Sequence, residues 1–154
     1  MIPLNDLLQE IRACSLCELP LGANPVVRAS EGARLLIIGQ APGTAVHKSG
    51  IPWDDLSGGR LRSWLDLDKS TFYDESRLAI VPMAFCYPGK GKSGDLPPSP
   101  MCSLTWHEAL LQHMPALKVT LLIGRCRIPR RAIVFGCRAT PGLMNKSFLH
   151  CRNV

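Results

Sequence analysis

No run of eighteen consecutive apolar residues occurs in this chain, so a membrane-spanning helix is not expected. The opening residues, MIPLNDLLQEIRAC, bring acids early and contain no long apolar stretch; no secretory signal is expected there. A Walker lysine and a G-x-G-x-x-G run are both missing, which counts against a nucleotide- or phosphate-binding protein. Internal repeats are absent as well. The supply of acid is the most uneven feature. All twelve Asp and Glu fall within residues 1–124, where eleven Lys and Arg nearly balance them. Residues 125–154 hold seven Lys and Arg and no acid. The net charge of +6 is therefore generated in that last segment. A basic segment of this kind can bind nucleic acid, but the favoured reading is that it differs in origin from the rest.

What is present reads as a globular protein: 154 residues, 46% hydrophobic and 19% charged, enough for one domain with a real core. A cytoplasmic, reducing setting is expected, where seven cysteines favour a metal or cluster over disulfides. Leu4, Leu7, Leu8 and Ile11 recur at helical spacing within residues 3–13. ARLLII (33–38) is a buried strand running into a Gly- and Pro-rich loop over 39–56. Ser57 is expected to cap a helix holding Leu61, Trp64 and Leu65. RLAIVPMAF (77–85) reads as a second strand and LKVTLLI (117–123) as a third. Residues 87–101 form a loop by composition. Residues 103–114 are expected to form a helix with Leu104, Ala109, Leu110 and Met114 inward. Strands alternating with helices give an α/β fold with a parallel sheet, whose ligands sit at the carboxyl ends of the strands. This domain is assigned to 1–124. The basic, Cys-containing segment 125–154 is left unassigned apart from a possible strand fragment at Ile133–Phe135.

The order strand, Gly/Pro loop, helix over LLIIGQAPGTAVHKSGIPWDDLSGGRLRSWL brings backbone N–H groups and a positive helix end towards a ligand. Gly39 and Gly43 permit close backbone approach. Gly39-Gln40-Ala41-Pro42-Gly43 resembles the first motif of the uracil-DNA glycosylase superfamily, close to the GEAPG form of its iron–sulfur branch. Trp53 matches the aromatic residue that follows about ten positions later in that branch. The resemblance covers about 1–124. It implies a three-layer α/β/α fold with a central, mostly parallel sheet, incomplete towards the C-terminus. It also implies a cytoplasmic monomer that acts on DNA, single-stranded or damaged, and excises uracil or a related base from a flipped nucleotide. Gly39, Gln40, Ala41, Pro42 and Gly43 would then bind the substrate, with Gln40 offering its amide to base or sugar, and Trp53 would stack on the base. Gln40 and Asp55 are the candidate catalytic residues; Asp55 shares its loop with His47 and Asp54, and any of the three could orient water. Two positions depart from the branch pattern. Gln40 stands in place of Glu, and Pro82 in place of the Asn that reads the base edge.

Cys14 and Cys17 form C-x2-C, and Cys86 and Cys102 follow as a second, wider pair. By themselves, four thiols in two pairs suit a [4Fe–4S] cluster or structural zinc. The resemblance implies the cluster on these four residues, holding the N-terminal helix to the 87–101 loop. Lys90 and Lys92 in that loop are read either as contacts to DNA phosphates, stiffened by Pro97-Pro98, or as part of a solvated surface loop. His107 and His113 are assigned no chemistry. Complete members of the superfamily continue to a His-Pro-Ser loop whose His meets the developing charge on the base. No His-Pro pair follows Gly124, and the only later histidine is His150, so little glycosylase activity is expected. The alternative is a non-catalytic iron–sulfur protein that binds nucleic acid through its basic segment.

Overall fold

The computed structural model describes residues 2–124 and the pair Gly136–Cys137. The expected fragment Ile133–Phe135, and the rest of the basic segment, lie outside the described residues. Helix α1 (Leu4–Arg12) buries Leu4, Leu7, Leu8 and Ile11, the four residues that the spacing picked out. Asp6 in its first turn and Arg12 in its last complement the helix dipole. Next come β1 (Leu35–Ile38), α2 (Thr44–Ser49), α3 (Leu56–Leu65), α4 (Lys69–Phe72) and β2 (Leu78–Ile80). A two-residue-per-strand hairpin, β3 (Lys90–Gly91) and β4 (Gly94–Asp95), precedes α5 (Met101–Thr105), α6 (His107–Gln112), β5 (Val119–Leu122) and β6 (Gly136–Cys137).

The sheet runs β2-β1-β5-β6 and every pair in it is parallel. Leu36 pairs with Ala79 on one side and Thr120 on the other. Because side chains alternate along a strand, the sheet feeds two cores. Leu36, Ile38, Ala79 and Val81 join α1 and the α5–α6 pair on one face. Ile37, Leu78, Ile80 and Leu121 join Leu61 of α3 and Phe72 of α4 on the other. Helices on both faces of a parallel sheet are the α/β arrangement expected from the strand–helix alternation. The chain leaves β1 to form β2 on one side and returns to form β5 on the other. The crevice between the carboxyl ends of β1 and β5 is thus the topological switch point.

Several local expectations need correction. The cap of α3 is Asp55, not Ser57: its carboxylate accepts the Gly58 N–H at 2.8 Å, and carboxylates cap well. Trp64 is 73% exposed instead of inward. The helix expected over 103–114 is two short ones, interrupted at Trp106 (φ −117°). Since α5 begins at Met101, its inward positions are Cys102 and Ser103, and Leu104 is left 72% exposed. The second strand stops at Ile80 because Pro82 has no N–H to continue a ladder. The 39–56 loop contains α2, and the 87–101 loop contains the β3–β4 hairpin.

His107, assigned no chemistry from sequence, is a structural residue. It is buried, donates Nε2–H to the Pro82 carbonyl at 2.9 Å and stacks on Phe85 with ring centroids 5.6 Å apart. Burial holds its pKa below the ordinary histidine value, with the Pro82 carbonyl working in the opposite sense. The unfolded chain takes up a proton below about pH 6.5 that the folded chain resists, so His107 costs stability as pH falls through that point. In urea titrations, the midpoint difference between wild type and His107→Gln should be largest at pH 7.5 and shrink by pH 5.5. A difference independent of pH would show that His107 titrates alike in both states.

Candidate active site

The segment Gly39–Gly43 leaves β1 at the switch point and bends over its end. Two of its carbonyls are taken by the chain after β2: Met83 N–H donates to Gly39 and Ala84 N–H to Gln40, each at 2.9 Å. Among the described residues, the N–H groups of Gln40, Ala41 and Gly43 have no acceptor. They border a recess lined by all five residues of the segment together with Trp53, Asp55 and Pro82. Every substrate-binding and catalytic residue expected from sequence therefore meets in one place. His47 and Asp54 do not line it. The His47 ring lies against Tyr87, centroids 6.0 Å apart, and its Nδ1 is buried without a hydrogen-bond partner among the described residues.

Trp53 forms a wall of the recess and also packs on the core around Ile37, Leu61 and Phe72. One residue thus belongs both to the core and to the lining of the recess. Its backbone has φ 58°, the left-handed region that a bulky residue seldom takes. Its indole runs along the backbone of Gly39, where a Cβ would stand 2.9 Å from Cζ2. The Trp53 carbonyl points at Gly58 so closely that a Cβ there would collide with it. This explains a glycine in the first turn of α3. Its neighbour Gly59 faces open space.

Asp55 is fixed by its capping role. Oδ1 accepts from the Gly58 N–H and from the Ser57 hydroxyl at 2.6 Å, which leaves Oδ2 as the carboxylate's second acceptor. The exposed Gln40 side chain lies over Gly124 at the end of β5; a Cβ on Gly124 would be 3.0 Å from Gln40 Cγ, and Gly124 has φ 91°. Pro82 lines the recess while its carbonyl is turned to His107. Asp95 on the β3–β4 hairpin was not foreseen. It accepts from the Tyr87 hydroxyl at 3.0 Å and reaches to 3.9 Å from where a Gly43 Cβ would be. Lys90 and Lys92 stand exposed on the same hairpin.

The family model described as the Uracil DNA glycosylase superfamily matches residues 27–140, most of the chain. The protein belongs to that superfamily. The superfamily match contains the Gly39–Gly43 segment, Trp53, Asp55 and Pro82, and Cys86 and Cys102; it begins after Cys14 and Cys17. It also runs past Gly124, so part of the segment set apart by charge is included in the superfamily domain.

A second recess lies beside the first. It is lined by Cys14, Cys17, Cys86 and Cys102 among apolar residues such as Leu16, Pro25 and Phe85. All four are free thiols. The Phe85 N–H donates to Cys102 Sγ at 3.4 Å, and Cys17 Sγ is 3.8 Å from the Ser99 hydroxyl. Burial pushes the Cys102 thiol up to about 11; the Phe85 N–H opposes this, and Cys86, Cys17 and Cys14 add to it. Burial raises Cys86 too. Among the described residues, no three such side chains close to within reach of a single metal ion.

The two adjacent glycines provide a test of this geometry. Gly59→Ala should raise stability by about 0.5–1 kcal/mol, the ordinary gain in a helix interior. Gly58→Ala should lower it, because the added methyl meets an immovable carbonyl. Thermal melts of both variants decide; equal and positive shifts would mean that Trp53 does not press on Gly58.

Proposed function

We propose that this protein is a DNA glycosylase that hydrolyses the N-glycosidic bond of uracil or a related base, and that it carries an iron–sulfur cluster. One observation carries the reading: three backbone N–H groups without acceptors among the described residues border a recess walled by an indole. When the bond between the base nitrogen and the sugar C1′ breaks, the base keeps the electron pair and departs as an anion. Fixed N–H donors are suited to that charge because they need no reorganisation. Trp53 offers a face for the extruded base. Asp55, held through Oδ1, presents Oδ2 to the water that attacks C1′ and takes up its proton. Pro82 offers a ring and no amide, so base selection rests on the backbone donors and on Gln40.

No His-Pro pair occurs in 125–154. The electrostatic help that a His-Pro-Ser loop gives in the superfamily therefore has no counterpart in that segment; working without such a donor costs roughly 10²–10³ in rate. Turnover on single-stranded, uracil-containing DNA should fall short of a member with the loop by that factor. Asp55→Asn keeps the cap, since Asn caps as well as Asp, and should lower kcat by a further 10²-fold or so with little change in melting temperature. Trp53→Ala should weaken binding to an abasic oligonucleotide by about 1–3 kcal/mol, with some loss of stability from the core contacts. DNA binding without any base release, in wild type and Asp55→Asn alike, would favour the non-catalytic alternative.

For the cluster, the fit lies in the donor set: four sulfurs from three chain segments around one apolar recess, with an N–H already donating to one of them. A [4Fe–4S] cluster would tie α1 to the segment after β2 and contribute folding energy. Protein purified without air should be brown, with about four irons per chain, and Cys17→Ser should lose colour and solubility. A colourless, iron-free and well-folded protein would sink this part of the reading.

A further inference from the structure

Trp53 adopts a backbone conformation that its own side chain disfavours, so something outside it must impose that conformation. Two successive carbonyls, Pro52 and Trp53, are gripped from one side. The Tyr73 hydroxyl donates to the Pro52 carbonyl at 2.9 Å. Arg62 Nη1 donates to the Trp53 carbonyl at 3.2 Å and to the Tyr73 hydroxyl oxygen at 3.3 Å. The phenol's single proton is thus committed to Pro52, and its oxygen accepts from Arg62.

The grip is itself held. Arg62 lies over the Phe72 ring, 5.4 Å from its centroid, and near the Tyr73 ring at 5.8 Å. Arg28 covers Tyr73 at 5.1 Å, and its Nη1 is 3.5 Å from the Tyr73 carbonyl and 3.6 Å from the Glu75 carboxylate. Arg62 is half-buried and forms no ion pair among the described residues. A guanidinium in that position, spending its donors on a carbonyl and a phenol, does little for charge balance. It does fix a loop, because its planar fork holds direction better than an ammonium would.

We propose that Arg62 and Tyr73 are positioning residues that clamp the Pro52 and Trp53 carbonyls and keep the Trp53 indole against Gly39 as a preformed platform for the extruded base. The proposal rests on the stacking role of Trp53 given above. The clamp acts before the base arrives: it removes the freedom that the indole would otherwise lose on binding. Its loss should weaken DNA binding through Trp53 and nothing else.

The full chain with Trp64→Phe and Trp106→Phe has Trp53 as its only tryptophan, so its fluorescence reports on that residue alone. Into it go Tyr73→Phe, which deletes one oxygen, Arg62→Lys and Arg62→Ala, each with and without Trp53→Ala. Acrylamide quenching reads the freedom of the indole, and anisotropy at fixed salt reads affinity for a uracil-containing single-stranded oligonucleotide. Tyr73→Phe should raise quenching and weaken binding about three- to tenfold, the worth of one hydrogen bond. Arg62→Ala should do at least as much, and Arg62→Lys should recover part of it. In the Trp53→Ala background the same changes should have no further effect on affinity. Unchanged quenching in both Tyr73→Phe and Arg62→Ala, or equal losses of affinity with and without Trp53, overturns the clamp. If Trp53→Ala alone leaves affinity intact, the stacking role falls, and the quenching series still decides whether the clamp exists. Should Arg62→Ala fail to fold, Tyr73→Phe, which removes no packing volume but an oxygen, carries the test.

Discussion

Two backbone hydrogen bonds organise this molecule: Met83 N–H to the Gly39 carbonyl and Ala84 N–H to the Gln40 carbonyl. They begin where the β2 ladder ends, one residue beyond Pro82. Within the sheet, a parallel pair would have continued and carried the chain away straight. Here proline removes a donor, and the next two N–H groups reach across to the loop leaving β1. A peptide unit whose carbonyl is held has its N–H aimed by the same plane. The Gln40 and Ala41 donors at the recess are set by that, with no side chain needed.

The same short segment serves both recesses. Pro82 lines the one beneath Trp53, whereas Ala84, Phe85 and Cys86 line the one that gathers the four thiols. His107 props the segment from below through the Pro82 carbonyl and the Phe85 ring. Whatever orders the cysteine recess therefore also orders a wall of the recess beneath Trp53, through three residues of backbone. A cluster in this place needs no redox role to matter. The proposed cluster would tighten a strap that the two recesses share.

Much of this was legible in the chain itself. The helical spacing of Leu4, Leu7, Leu8 and Ile11 found α1, and the apolar runs found β1 and β5; burial on both sheet faces leaves β1 an uninterrupted apolar stretch, whereas in β5 only Leu121 is buried. The Gly39–Gly43 segment, Trp53 and the four cysteines were each named from sequence, and each set shares a recess. What escaped notice depended on contacts between distant residues. Asp55 and Ser57 are both good caps, and only the geometry gives the place to Asp55. Leu104 and Trp64 are apolar residues on exposed faces, which periodicity alone assigned inward. Arg62 and Tyr73 carry no motif. The one hint was the glycine pair at 58–59, where a helix accepts a costly residue for a reason that lies five residues upstream, in the Trp53 carbonyl.

The contact between Gln40 and Gly124 has an evolutionary consequence. The two residues terminate neighbouring strands, and the long side chain of one occupies the space that any side chain on the other would need. They form a single steric unit divided between distant parts of the sequence. A lineage that shortens residue 40 frees position 124 to gain a side chain, provided that the turn there also abandons its left-handed backbone. A lineage that keeps Gln40 gains a side chain at 124 only if the exposed glutamine shifts by a few tenths of an ångström. Across relatives the two positions should drift together, as a pair, independently of the residues between them.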